Sequence, residues 1–245
     1  MPKVYLSPSM QPYNLYNGGG NEQYYMNLIA DAMEPYMISS GIQFTRNDPS
    51  TQTLPQVIKE SNAGNYDLHV ALHSNAAPEH LAGQLQGTDV YYNPNNRWSR
   101  KFADFVAENF RVIYPDPEKV DVLPTYTLAE VKNVNAPSVL IEMAYHDNPA
   151  DAQWIRDNIE LIAKSIVLSM TEYFGIPFVP AQKPRVGVVK TGGSNLNLRS
   201  HPSLFARVIT RMPNNSRITV YGKTGDWYVV GFGDQVGYAS AKYIG

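Results

Sequence analysis

The chain has 245 residues, 43% of them hydrophobic and 17% charged, and its 20 basic and 22 acidic side chains give a formal net charge of −2. This composition argues against a disordered chain and against a basic nucleic-acid-binding protein, and no apolar run is long enough to cross a bilayer. The absence of cysteine excludes disulfides, thiolate metal sites and a cysteine nucleophile. Five histidines leave few candidates for imidazole chemistry.

The near-neutral charge is the sum of two parts of opposite sign. Residues 1–182 carry 11 basic and 20 acidic side chains, a net of −9, whereas the remainder carries 9 basic and 2 acidic side chains, a net of +7. Three prolines punctuate the junction, which has no helical or strand periodicity. We predict a first domain over residues 1–176, a proline-containing linker over 177–184 and a basic second domain over 185–245.

Strands and helices alternate along the first domain. In chain order, the predicted strands lie at 3–6, 42–44, 67–73, 87–92 and 138–141. The predicted helices run over 21–39 and 55–62, then one is capped by Ser99 and a last one by Asn148. This order indicates an α/β domain with a mainly parallel sheet flanked by helices, a fold in which ligands bind beyond the carboxyl ends of the strands.

Polar side chains at the predicted strand ends mark the candidate site. His73 ends the third strand, Glu142 follows the fifth, and Glu22 opens the first helix. One imidazole and two carboxylates converging at a sheet edge suit a hydrolytic metal site, with zinc favoured by nitrogen and oxygen ligands without sulfur. A single carboxylate at a helix start is also a common capping device, which is the ordinary structural interpretation.

The segments around these residues resemble motifs of the zinc-dependent N-acetylmuramoyl-L-alanine amidases, a family that includes bacterial cell-wall hydrolases and phage endolysins. The matching segments are Glu22 at the helix start, Thr45-Arg46 after the second strand, the histidine-ligand motif over 67–76 (Asp-Leu-His-Val-Ala-Leu-His-Ser-Asn-Ala), and the catalytic-glutamate strand over 137–142 (Pro-Ser-Val-Leu-Ile-Glu). The motifs occur in the family's order, and the resemblance spans about residues 3–174.

The resemblance implies hydrolysis of the amide that joins the lactyl group of N-acetylmuramic acid to L-alanine in peptidoglycan. It implies a Zn²⁺ cofactor held by Glu22 and His73, with Glu142 as general base and then general acid. Asn75 is expected to contact the substrate near the developing oxyanion. Arg46 is a weaker substrate-binding candidate, because pairing with a carboxylate to organise a loop is the better interpretation of this arginine.

The chain departs from the family at the first zinc ligand, a histidine soon after the first strand. The corresponding run is Ser-Pro-Ser-Met-Gln over residues 7–11, and no histidine precedes His69. Gln11 offers a carbonyl oxygen, a weak zinc ligand compared with imidazole. His146, which follows the strand of Glu142, is the alternative replacement. A weakened or inactive metal site is a third interpretation of the same departure.

Two further features have competing interpretations. His69 and His73 share one face of a strand but lie about 13 Å apart at the strand rise, so they cannot share a metal, and we expect His69 to be a buried, hydrogen-bonded core residue. Tyr13 and Tyr16 either stack on sugar rings or pack and decorate the surface.

From residue 185 onward, short strands separated by turn residues predict a small all-β barrel. The runs Leu-Asn-Leu-Arg over 196–199, Gly-Asp-Trp-Tyr over 225–228 and Gly-Tyr-Ala over 237–239 resemble a bacterial SH3-type domain. This resemblance implies binding to peptidoglycan or other wall components, and the positive charge suits anionic wall polymers. We expect no nucleic-acid partner and no membrane insertion.

Two other functions stay open at this point: a non-catalytic peptidoglycan-binding protein with a degenerate amidase domain, and another zinc-dependent wall peptidase. The N-terminus lacks a basic stretch followed by an apolar core, so the sequence as written has no secretory signal. We therefore expect action on the cell wall after phage-type endolysin release or lysis, or after secretion if a leader was trimmed.

Overall fold

An α/β part is followed by an all-β part in the computed structural model, which describes all residues from 1 to 245, so the predicted fold class is confirmed. The strands of the first part are β1 (Lys3–Pro8), β2 (Gln43–Arg46), β3 (Leu68–Asn75), β4 (Thr88–Tyr92), β5 (Val120–Pro124) and β6 (Ser138–Tyr145). Its helices are α1 (Glu22–Ser40), α2 (Leu54–Ala63), α3 (Arg97–Ile113), α4 (Ala129–Lys132), α5 (Pro149–Asp157) and α6 (Ile159–Phe174).

The six strands form one mainly parallel sheet in the order β2-β1-β3-β6-β4-β5. β3 pairs in parallel with both β1 and β6, and β4 pairs in parallel with β5. The pair between β4 and β6 is antiparallel. The carboxyl ends of β1, β3 and β6 therefore meet at the same edge of the sheet, and the start of β4 lies there beside them.

The apolar patterns of the sequence explain where the core lies. β1, β3 and β6 are buried along most of their length, as expected for strands covered on both faces. α3 buries Phe102, Val106 and Phe110 completely, and these residues recur at the spacing of one helical face. Burying each such side chain contributes about 1.5–3 kcal/mol to folding.

Two helix boundaries differ from the prediction. The cap of α3 is Asn96, whose side chain accepts hydrogen bonds from the backbone amides of Trp98 and Ser99. The hydroxyl of Ser99 is instead buried and accepts a hydrogen bond from the backbone amide of Ser138 at 2.9 Å. Asn148 caps α5 as predicted, but the last predicted helix is two helices, because α5 ends at Asp157 and α6 begins at Ile159.

Among the strands and α-helices, three were not predicted, namely β5, α4 and one strand of the all-β part. The strands of that part are β7 (Arg185–Val188), β8 (Leu196–Arg199), the unpredicted β9 (Val208–Met212), β10 (Arg217–Thr224), β11 (Trp227–Phe232) and β12 (Gln235–Ser240). They form an antiparallel sheet in the order β7-β10-β11-β12-β8-β9. Its buried centre contains Val189, Leu198, Met212 and Val230.

By contacts, the chain divides into two compact units. One comprises 3–33 and 44–173, and the other comprises 1–2, 34–43 and 174–245. The end of α1 thus belongs to the same unit as the all-β part, in which Tyr238 donates a hydrogen bond to the backbone oxygen of Ser40 at 3.1 Å. The predicted linker over 177–184 contains no helix or strand. No helix combines the length and apolar character needed to span a membrane.

Candidate active site

The pair of Glu22 and His73 lies at the carboxyl edge of the sheet, where β1 leads into the start of α1. Oε1 of Glu22 lies 2.8 Å from Nδ1 of His73, and the Glu22 side chain is almost completely buried. Burial acts to raise the pKa of Glu22, but the contacts with His73 outweigh it and lower that pKa below its ordinary value. Glu22 is therefore a carboxylate held in place for a positive partner.

Gln11 contacts the same ring nitrogen of His73 as Glu22 does. Its Nε2 lies 3.3 Å from Nδ1 of His73. The amide of Asn14 joins the two neighbours, because its Nδ2 donates to Oε2 of Glu22 at 2.5 Å and to Oε1 of Gln11 at 3.2 Å. The structure thus brings together Gln11, Glu22 and His73, three of the residues singled out in the sequence.

Glu142 completes a row of ionisable side chains that crosses the sheet. It is the register partner of His73 on β3 and of Asp89 on β4, so these side chains share one face of the sheet. Its Oε2 is buried and accepts no hydrogen bond. Burial, together with the negative charges of Glu22 and Asp89, raises the pKa of Glu142 to about 7 despite the attraction of His73.

Behind His73 lies a second buried cluster. Glu130 on α4 has its Oε2 2.9 Å from Nε2 of His69 and its Oε1 3.8 Å from Nε2 of His73. Nδ1 of His69 in turn lies 2.9 Å from the hydroxyl of Ser61 on α2. His69 is thus the buried, hydrogen-bonded histidine that the sequence predicts, and a single carboxylate links it to His73.

The charge distribution around His73 favours its imidazolium form. Burial acts to lower the pKa of His73, but Glu130, Glu22 and Glu142 together raise it well above its ordinary value. Burial likewise acts to raise the pKa of Glu130, and its contacts with His69 and His73 overcome this and lower it.

His146 is not brought into contact with His73 or Glu22. Its Nδ1 lies 2.9 Å from the backbone oxygen of Ser74, and its ring stacks on the buried ring of Tyr16 at a centroid distance of 5.4 Å. Tyr16 is therefore a packing residue, whereas the ring of Tyr13 is 72% exposed.

The two predicted substrate contacts have different surroundings. Nδ2 of Asn75 donates to Oδ2 of Asp89 at 3.0 Å, which places Asn75 beside the row that contains Glu142. Arg46 pairs with Asp31 at 2.5 Å and donates to Oδ1 of Asn27 at 2.7 Å. These contacts agree with the predicted pairing of Arg46 with a carboxylate, but both partners lie on α1 and not in a loop.

The donor set around His73 reaches three members only when the amide of Gln11 is included. No three His, Cys, Asp or Glu side chains form a group that could hold a metal ion. With the amide of Gln11 included, Nδ1 of His73 lies 2.8 Å from Oε1 of Glu22 and 3.3 Å from Nε2 of Gln11. Two ligand atoms of a tetrahedral zinc ion lie about 3.3 Å apart. A half-turn of the Gln11 amide would point its oxygen toward Nδ1 of His73, and Nδ2 of Asn14 would then donate to Glu22 alone. The positions fit one ion, with a neutral amide as the weak third donor.

Comparison with known proteins identifies the family. A family model described as N-acetylmuramoyl-L-alanine amidase matches residues 12–172, and one described as a bacterial SH3 domain matches residues 194–245. The chain belongs to the N-acetylmuramoyl-L-alanine amidase family. The reaction of this family is hydrolysis of an amide in peptidoglycan, and its members generally depend on zinc.

Similar solved structures share this amidase fold. The amidase AmiC2 of Nostoc punctiforme is 16% identical, with a TM-score of 0.62 over 71% of this chain and 97% of that one. The catalytic domain of the amidase CwlV from Bacillus (Paenibacillus) polymyxa var. colistinus is 18% identical, with a TM-score of 0.63 over 72% of this chain and 100% of that one. A relative by sequence, the bacteriocin BCN5 of Clostridium perfringens, is 23% identical over 124 residues, which are 49% of this chain and only 14% of that protein.

Three residues of the candidate site were missed in the sequence, namely Asn14, Asp89 and Glu130. Asp89 had a detectable signal, because it is the one charged residue of its strand. Asn14 and Glu130 had none, since one lies in an irregular loop and the other in a short helix that was not predicted. Their contacts with the site arise only when distant segments fold together.

Proposed function

We propose that this chain cleaves the amide bond between the lactyl group of N-acetylmuramic acid and L-alanine, with Glu142 as the catalytic residue. The observation that carries the proposal is the placement of Glu142 next to His73 in the sheet, with one buried carboxylate oxygen that has no partner. A raised pKa suits a group that must both accept and donate a proton near neutral pH.

The proton movements assigned to Glu142 follow from this position. As the oxygen of a water molecule attacks the lactyl carbonyl carbon, Glu142 accepts a proton from that water. It then gives the proton to the alanine nitrogen as the carbon–nitrogen bond breaks, so that L-alanine leaves as a neutral amine. Ser74 and Asn75 follow His73 directly in the chain, and we assign to them and their backbone amides the stabilisation of the carbonyl oxygen.

We further propose that the site takes a Zn²⁺ ion held by Glu22, His73 and the side-chain oxygen of Gln11. When bound, zinc polarises a carbonyl and lowers the pKa of a coordinated water. Asn14 supports this set, because its Nδ2 donates to Oε2 of Glu22 and so holds that carboxylate in place. Gln11 is favoured over His146, whose Nδ1 contacts Ser74 instead.

The substitution Glu142→Gln tests the catalytic assignment. It removes the proton acceptor and keeps the size of the side chain, so we expect unchanged folding and zinc content with loss of amide cleavage. The measurement is the release of free L-alanine amino groups from purified sacculi, with Glu118→Gln, an exposed glutamate, as a matched control. A Glu142→Gln protein that still cleaves the amide contradicts the assignment.

A second candidate function is a non-catalytic wall-binding protein, and the amide of Gln11 in place of an imidazole favours it. Incubation of sacculi with the wild-type protein, with and without a chelator, separates the candidates. New L-alanine amino groups support the amidase, and new C-terminal carboxyl groups would indicate a wall peptidase instead. Binding without any new chain end would support the non-catalytic function.

We propose that the SH3-type domain anchors the protein to the wall. A groove of about 330 Å³ in this domain is lined by Trp227 and Tyr243, with Arg199 and Asn197 beside them. Aromatic rings, amides and a cation suit both the peptides and the anionic polymers of a cell wall. Action at the wall is consistent with either endolysin-type release or secretion.

A further inference from the structure

The cluster of Ser61, His69 and Glu130 is not used by the proposed reaction, although it lies directly behind it. The His69 side chain is 0% exposed and that of Glu130 is 6% exposed. Taking a carboxylate out of water costs several kcal/mol unless charges and hydrogen bonds compensate. The sequence therefore places a costly polar group in the interior of the protein.

The carboxylate of Glu130 is divided between two histidines. Its Oε2 takes the short contact with His69, while its Oε1 is left facing Nε2 of His73 at 3.8 Å. That Nε2 is buried and has no hydrogen bond. The opposite ring nitrogen, Nδ1, faces Glu22 and Gln11.

This arrangement distinguishes the two nitrogens of His73. A carboxylate behind a histidine fixes the orientation of the ring and the nitrogen that carries a proton. A carboxylate near Nε2 favours a proton on Nε2, so that Nδ1, which faces Glu22 and Gln11, is the ring nitrogen that would bind a metal ion. A purely structural ion pair with His69 would not need its second oxygen to face His73.

We propose that Glu130 is a positioning residue that orients the ring of His73, and that His69 and Ser61 hold Glu130 in place. The inference rests on the proposed role of His73 in the amidase site. It adds a group that acts through His73 without contact with the substrate, and it gives a role to the second buried histidine.

The test replaces the pair with apolar side chains. In the double variant His69→Phe and Glu130→Leu, the new ring can retain the stacking of His69 on Tyr5, whose centroids lie 5.2 Å apart. Exchanging a buried ion pair for apolar side chains is often neutral or stabilising, so this variant is expected to fold. The single variant Glu130→Gln, which keeps the shape of the side chain, is the second test.

The primary measurement is the ¹⁵N and ¹H NMR spectrum of the histidine rings in the full-length, metal-free protein, at one pH for all variants. We expect a protected Nε2–H signal from His73 in the wild type and its loss or displacement in both variants. Glu60→Gln is the matched control, because Glu60 is a carboxylate on α2 that binds Tyr5 and Gln52 instead. It should leave the His73 signals unchanged.

Two further measurements link the position of the ring to function. Zinc affinity and kcat on soluble muropeptides are each expected to fall about 10–100-fold in the variants, with KM changed little. His73 signals in the folded double variant and in Glu130→Gln that match the wild type would overturn the inference. If the wild type proves to cleave no amide, the proposed function fails, while the NMR spectra still decide the role of Glu130.

Discussion

At the scale of single residues, the environments of two glutamates shift their pKa values in opposite directions. Glu22 lies against His73 and its pKa is lowered, so it stays charged. Glu142 lies in the same face of the sheet without a hydrogen bond to Oε2, and its pKa is raised to about 7. Burial acts on both, and the imidazole contact makes the difference. One carboxylate is thus suited to hold a cation and the other to move a proton.

Gln11 is the residue that limits metal affinity in this proposal. Replacing a neutral amide with an imidazole supplies the stronger zinc donor, so we expect Gln11→His to bind zinc at least about 10-fold more tightly and to cleave faster at low zinc concentration. Competition with a chromophoric chelator measures the affinity.

Tyr13→His is the matched control for Gln11→His, because Tyr13 is an exposed neighbour that donates to Gln11. It adds an imidazole outside the proposed set and should not tighten binding. Equal zinc affinity of Gln11→His and the wild type would contradict the assignment of Gln11 as the third donor.

At the scale of secondary-structure elements, the strand β4 adjusts the chemistry of the site. Because β4 runs antiparallel to β6, its start lies at the carboxyl edge and Asp89 is paired with Glu142. A parallel strand in this place would present its carboxyl end there instead. The single antiparallel pair of the sheet therefore adds a negative charge beside the proposed base.

The substitution Asp89→Asn tests this effect through the pH dependence of cleavage. The negative charge of Asp89 contributes to the raised pKa of Glu142, so its removal lowers that pKa. Glu142 must be ionised to accept a proton, and the acidic limb of kcat/KM should therefore move to lower pH. Asp121→Asn on β5, next to Asp89 in the sheet, should shift the limb less. An acidic limb that stays in place or moves to higher pH in Asp89→Asn would refute this account.

At the scale of the whole molecule, two parts of opposite charge share one chain. The net charge is −9 up to residue 182 and +7 beyond it. In the proposed function, an anionic wall would attract the basic part and repel the acidic part. We infer that attraction between the SH3-type domain and anionic polymers raises the local concentration of the enzyme at its substrate.

Salt should therefore weaken wall binding by the full-length Glu142→Gln protein. Charge attraction between exposed groups is screened at a Debye length of about 8 Å at physiological ionic strength, so bound protein should decrease as salt rises. Sacculi stripped of their anionic polymers provide the comparison, because binding to them should be weaker and nearly independent of salt. Salt-independent binding to intact walls would exclude the electrostatic contribution.

The sequence by itself determined the alternation of strands and helices, the two-part organisation and the family, because periodicity, turn residues and short motifs are local. It also singled out Glu22, His73 and Glu142, since strand ends and helix starts are readable in order, and the comparison with the family's first zinc ligand added Gln11. Only the tertiary structure placed Asn14, Asp89 and Glu130 beside them, and separated His146 from them. Such contacts depend on strand order, on one antiparallel pairing and on the packing of short loops, which are decided by the burial of the whole sheet.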